Sequence, residues 1–299
     1  MEALKRRCKG FARQVLCNRL FVVMAALYVV GKLTSNLLLG AKPATAVRSG
    51  IMGLAMYVFA AFVIHLLSED RDAVVRDTTD LGPAMIVLGL TMTVLAWGVL
   101  YRIGAVGTGV PVWRRVTTIW EAWVTDLTAR YTSLEATGLI GLPYLLLYVA
   151  LPVVVWVVRG RPLPKMAGLK SAVPALPFVF LYVAAFCVIR GISATSLLTL
   201  CFVVMWPAMG EEFLYRGILQ KTLGDSCGNA VTGIVAASLL FAASHIPTYV
   251  LAGSGPAVLR WSGLLPVMLT SFFWGYGYHR TGVLWPWIFI HAASNLVGF

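Results

Sequence analysis

Residues 193–216 read SATSLLTLCFVVMWPAMGEEFLYR, an apolar run that ends in two adjacent carboxylates and an arginine. The run is long enough to cross a bilayer as a helix, since about 20 predominantly apolar residues span the hydrocarbon core. A charged side chain at the bilayer centre costs about 2.5–3.5 kcal/mol on the most lenient scale, so it survives where it faces a protein interior and finds a partner. This stretch therefore predicts a membrane helix that carries Glu211, Glu212 and Arg216 into a helical bundle.

The rest of the chain has the composition of a polytopic membrane protein. Of its 299 residues, 59% are hydrophobic and 12% are charged, whereas soluble domains carry about 25% charged residues. We therefore predict an all-α transmembrane helix bundle of about eight or nine spans. The apolar runs that predict these spans lie near residues 20–39, 50–67, 82–105, 137–158, 172–190, 193–216, 229–246, 258–279 and 282–297.

The basic residues favour membrane topology over nucleic-acid binding. The formal net charge is +12, but the cations lie in short segments between apolar runs, where they contact anionic lipid head groups. The two most basic segments are residues 1–19 and 159–170, and four predicted spans separate them. The positive-inside rule then places both segments, and the N-terminus, in the cytoplasm.

Two other features concern the organisation of the chain. Residues 110–136 combine aromatic and basic side chains, which suits an interfacial amphipathic helix better than a soluble subdomain. The polar residues that we interpret as functional all follow the basic loop at 159–170. We therefore predict an N-terminal membrane module of uncertain role, residues 1–164, and a catalytic membrane domain, residues 165–299.

The two adjacent glutamates have different predicted roles. Residues four apart share a helix face, so Glu212 and Arg216 can pair. Glu211 points about 100° away around the helix and stays available as a general base. For this motif alone, a helix-end charge cluster at the lipid interface is the alternative interpretation.

Two further pairs of residues have the same four-residue spacing. Phe241 and His245 occur in FAASH, and a neutral His245 can hold a water together with Glu211. Taken alone, His245 is better interpreted as a helix-end histidine that caps a carbonyl. His291 and Asn295 occur in HAASN, and two donors on one helical turn suit an oxyanion hole. An interhelical hydrogen-bonded pair is the alternative for them.

The ordered motifs EExxxR, FxxxH and HxxxN, each on a hydrophobic segment, resemble the CAAX protease and bacteriocin-processing (Abi) family of membrane endopeptidases. The resemblance covers roughly residues 170–299, whereas the first half of the chain matches no family that we can name. It implies that Glu211 and His245 activate water and that His291 and Asn295 stabilise the oxyanion. Structural support is then expected from Glu212, Arg216 and Phe241.

The sequence constrains the cofactor and the substrate less than it constrains the site residues. We favour a mechanism without a cofactor, and a zinc ion bound by Glu211, His245 and His291 is the alternative. The implied partners are membrane lipid and a membrane-associated or lipidated peptide or protein that enters from the membrane. No nucleic acid is implied. The diverged first half favours a prokaryotic member, which would place the protein in the plasma membrane.

Two functions of other classes compete with the intramembrane endopeptidase. One is a non-enzymatic immunity or scaffold protein of the same fold, which need not keep Glu211. The other is a proton-coupled transporter that uses Glu211 and His245 as a relay. No matching half-repeat accompanies the late cluster of polar residues, which disfavours the transporter.

Overall fold

The computed structural model describes residues 1–69, 78–102, 145–251 and 255–297, together with five isolated positions between residues 119 and 129. This part of the chain forms helices and no strand, so the predicted all-α membrane bundle is confirmed. Its helices are α1 (Glu2–Phe11), α2 (Arg19–Leu38), α3 (Pro43–Leu67), α4 (Leu81–Arg102), α5 (Leu146–Val158), α6 (Leu169–Arg190), α7 (Ala194–Cys227), α8 (Ala230–Leu251), α9 (Ala257–Thr281) and α10 (Trp285–Val297).

Six of these helices are long and apolar enough to cross a membrane, namely α2, α3, α6, α7, α8 and α9. The protein is therefore an integral, multi-pass membrane protein. The helix α5 and the Leu81–Val94 part of α4 are shorter apolar helices, and they cover parts of the predicted spans 137–158 and 82–105. The helix α10 has only 13 residues at the predicted span 282–297.

The N-terminal helices pack directly on the C-terminal ones. The hydroxyl groups of Tyr57 on α3 and Thr270 on α9 are 2.8 Å apart and buried, so they form a hydrogen bond between the two helices. The predicted division into residues 1–164 and 165–299 stays a prediction. The predicted interfacial helix at 110–136 lies outside the described residues apart from the isolated positions.

The helix α7 is longer than predicted. It has two π-helical segments, Val204–Ala208 and Phe213–Gln220, and the first contains Pro207. Proline lacks the amide hydrogen and its ring clashes with the preceding turn, so the helix widens there. The prediction that α7 ends near Arg216 is wrong, because every residue from 213 to 220 is buried in protein and the helix continues to Cys227.

Close packing brings α8 against the end of α7. Gly233 of α8 faces the backbone of Gly224, and a methyl group at position 233 would overlap that backbone and the carbonyl oxygen of Gln220. Small residues at such positions let two helix backbones approach closely in a membrane. Phe241 and His245 lie further along α8. Because α8 packs closely on α7 at Gly233, these two residues lie near the charged residues of α7.

Candidate active site

The charged residues of α7 are buried in the bundle. Glu211, Glu212 and Arg216 expose 7%, 0% and 1% of their surfaces. Arg216 Nε lies 3.2 Å from Glu212 Oε2, so the ion pair that the four-residue spacing predicts is present. Arg216 also donates from Nη2 to Ser271 Oγ of α9 over 3.0 Å. Its Nη1 has no hydrogen-bond partner among the described residues, so one donor of this buried cation remains available.

His291 of α10 lies between the two glutamates. Its Nδ1 is 2.9 Å from Glu212 Oε1, and its Nε2 is 3.6 Å from Glu211 Oε2. An ionised carboxylate only accepts hydrogen bonds, so Nδ1 carries a hydrogen when Glu212 is charged. Glu212 thus binds Arg216 with one oxygen and His291 with the other. The Glu211 carboxylate faces the other ring nitrogen of His291, Nε2.

Phe241 packs at the centre of this cluster. The guanidinium carbon of Arg216 lies 4.4 Å above its ring, and the rings of His245 and His291 lie 4.7 Å and 5.9 Å from it. Phe241 therefore contacts one member of each of the other two motifs. Because the ring excludes water, it also strengthens the electrostatic interactions beside it.

His245 is partly exposed and lies where the regular part of α8 ends. Its Nδ1 is 2.9 Å from the carbonyl oxygen of Phe241, as expected for a histidine that caps a carbonyl. A carbonyl oxygen only accepts, so Nδ1 carries the hydrogen and Nε2 of the neutral ring has a lone pair. Within the described part of the chain Nε2 makes no hydrogen bond, which leaves it available to a water or a substrate.

Asn295 is more exposed than the other predicted site residues. It is exposed on α10, one turn after His291. It makes no hydrogen bond to any residue whose placement is described. The structure therefore brings Glu211, Glu212 and His291 together, but Asn295 is a predicted oxyanion donor that is not held in place.

Sequence reasoning missed Trp274 and Ser271 of α9. The Trp274 ring stacks on the His291 ring with centroids 4.3 Å apart and planes 26° apart. Ser271 accepts a hydrogen bond from Arg216. Trp274 is one of ten tryptophans in an apolar chain, so no polar signal or spacing distinguishes it.

The described residues also form a cavity away from this cluster. A cavity of about 1370 Å³ opens at one end of the bundle, lined by the loop around Lys165, the last turns of α7 and the end of α9. None of the predicted catalytic residues lines it. Within the described ranges, no three His, Cys, Asp or Glu side chains are grouped so that they could hold a metal ion.

A comparison with protein families finds a match in the C-terminal part of the chain. Residues 192–297 match the family model of the type II CAAX prenyl endopeptidase Rce1-like proteins. This match contains all three motifs and confirms the resemblance to the CAAX protease family. It supports a membrane endopeptidase activity in broad terms. No curated protein and no solved structure matches the chain.

Proposed function

We propose that this protein, whose residues 192–297 are Rce1-like, is an intramembrane endopeptidase. It hydrolyses peptide bonds of membrane-associated or lipidated substrates that enter from the membrane. The observation that supports this best is the Glu211 carboxylate, which is buried and lies 3.6 Å from His291 Nε2. Burying such a group is costly in a lipid-embedded helix, and a role in catalysis explains why it is there.

In the proposed reaction, Glu211 acts as the general base. A water between Glu211 and the lone pair of His245 Nε2 loses a proton to the Glu211 carboxylate, and its oxygen attacks the carbonyl carbon of the scissile bond. The tetrahedral oxyanion accepts hydrogen bonds from His291 and Asn295. Glu211 then gives its proton to the leaving amine nitrogen as the carbon–nitrogen bond breaks. The four side chains need no cofactor for these steps.

The roles of His291 and Glu211 are coupled in this scheme. With Nδ1–H donated to Glu212, His291 must carry a second hydrogen on Nε2 in order to donate to the oxyanion. The charged Glu211 carboxylate, 3.6 Å away, attracts that hydrogen before reaction. Once Glu211 has taken the proton of water it no longer competes, so the Nε2–H turns to the oxyanion when the negative charge forms.

The proposal is tested with detergent-purified protein and a library of membrane peptides. Wild-type protein should cleave a subset of the peptides at defined bonds, which mass spectrometry of the products identifies. Protein with Glu211 replaced by alanine serves as the inactive control on the same library. If folded wild-type protein cleaves no peptide, a non-enzymatic immunity or scaffold function replaces this proposal.

Asn295→Ala should slow turnover without affecting folding. Loss of one oxyanion donor lowers turnover by about 10²–10³. Because Asn295 is exposed and has no partner in the described structure, its removal should change the free energy of unfolding by no more than about 0.5 kcal/mol. The rate of cleavage and the thermal midpoint are measured on the same preparation. Unchanged turnover would remove Asn295 from the proposed site.

Chelation of metal ions should leave cleavage unchanged. The scheme assigns base, water-holding and oxyanion roles to side chains alone. Purified active protein is analysed for bound metal, dialysed against a chelator and assayed. Stoichiometric zinc, with activity that disappears on chelation and returns with zinc, would instead make Glu211, His245 and His291 metal ligands.

A further inference from the structure

The indole ring of Trp274 covers one face of His291. The ring centroids are 4.3 Å apart and the planes differ by 26°, so the contact is a face-to-face stack. Trp274 exposes only 3% of its surface, and α9 holds it in the interior. The guanidinium of Arg216 lies 5.4 Å from the same indole ring. Trp274 therefore contacts both residues that bind the Glu212 carboxylate.

The hydrogen bond to Glu212 does not by itself fix the orientation of the His291 ring. A single bond at Nδ1 holds one atom of the ring, and the ring can still tilt about that point. Tilting would move Nε2, which is the atom that faces Glu211. Phe241 meets His291 edge-on, with planes 82° apart, and so limits the tilt from one side only. A flat surface against the face of the ring is what sets its plane.

We propose that Trp274 is a positioning residue of the proposed hydrolysis, acting by stacking on His291. This inference rests on the function proposed above. The stack keeps Nε2 directed at Glu211 and at the place where the oxyanion forms. Misplacement of a reacting group by about 1 Å can cost about 10²-fold in rate, so a fixed ring plane matters for turnover.

The indole acts through its ring rather than through its N–H group. Trp274 Nε1 is buried and has no hydrogen-bond partner among the described residues. A buried donor without a partner is unfavourable, so the larger aromatic face is what this position gains from tryptophan. Tryptophan is also the strongest aromatic partner for a cation such as Arg216.

Two variants separate these contributions. Trp274→Phe keeps an aromatic face and removes the N–H group, whereas Trp274→Met fills the space without a ring. We expect Trp274→Met to lower kcat by about 10²-fold with KM little changed. Trp274→Phe should retain most of the wild-type kcat. A Phe variant as impaired as the Met variant would overturn the assignment to stacking.

The stacking of Trp274 on His291 is measured without any substrate. The chain has four histidines, so the NMR spectrum of histidine-labelled protein in detergent is simple, and His291→Gln assigns the signal of interest. The indole ring current shifts the His291 ring protons, and this shift should be lost in Trp274→Met and partly kept in Trp274→Phe. An unchanged His291 signal in Trp274→Met overturns the inference, and if Trp274→Met does not fold, complete loss of the shift in Trp274→Phe overturns it instead.

The two readouts also separate this inference from the proposed function. If wild-type protein cleaves no peptide but the His291 signal responds to Trp274, the proposed hydrolysis fails while the stacking of Trp274 on His291 stands. If cleavage is normal and the signal does not respond, the proposed hydrolysis stands and the role of Trp274 is wrong.

Discussion

Glu211→Gln is expected to abolish peptide cleavage while the protein still folds. Glutamine has the shape of glutamate and fits the buried position, but it cannot take a proton from water. Loss of a general base lowers the rate by about 10²–10⁴. The Nε2 atom of His291, 3.6 Å from Glu211, also loses the charge that faces it. Cleavage of the best library peptide is compared with the yield and thermal midpoint of the same protein.

A second carboxylate provides the control for this variant. Glu69 is exposed at the end of α3, and Glu69→Gln removes one negative charge without touching the cluster. It should cleave like the wild-type protein. Substantial cleavage by Glu211→Gln would assign the base to another residue, and the proposed mechanism would be wrong.

Glu212→Gln is expected to impair folding rather than chemistry alone. Glu212 is fully buried, and its two oxygens face Arg216 and His291. Neutralising it leaves the Arg216 cation buried without its counter-charge. Breaking a buried pair in this way costs about 3–5 kcal/mol. We therefore expect Glu212→Gln to give a lower yield and a lower thermal midpoint than Glu211→Gln. Both quantities are measured on the two proteins in parallel purifications.

A double variant tests the physical reason for this loss. Replacement of a whole buried ion pair by apolar groups of similar size is often nearly neutral. Glu212→Met combined with Arg216→Met should therefore recover much of the yield that Glu212→Gln alone loses. If Glu211→Gln and Glu212→Gln show the same yield and the same activity, the division of roles between the two glutamates is wrong.

The local part of the site could be predicted because it depends on helix geometry alone. Residues four apart on one helix face each other whatever surrounds them, so Glu212 and Arg216 pair as expected. The hydropathy of the chain likewise determines that it forms membrane helices, since the backbone in lipid must satisfy its own hydrogen bonds. The order of the three motifs was sufficient to indicate the family that residues 192–297 match.

The partners across helices could not be predicted in the same way. His291 lies 79 positions after Glu212, and its place between the carboxylates depends on how α10 packs on α7. The sequence paired Glu211 with His245 through a water, and the contact of Glu211 with His291 was not foreseen. Trp274 had no signal at all, because an apolar side chain in an apolar helix looks the same in the sequence whether it faces lipid or the ring of a buried histidine.

Hydropathy and helix periodicity are sufficient to predict the membrane bundle, the Glu212–Arg216 pair and the set of polar residues that must find partners. Packing between helices explains why Glu212 faces two partners, why Trp274 covers His291 and why Asn295 is exposed. The reason is that composition and periodicity report on the environment of one helix at a time. Which residues meet between helices depends on the close packing of residues such as Gly233, and that packing is a property of the whole bundle.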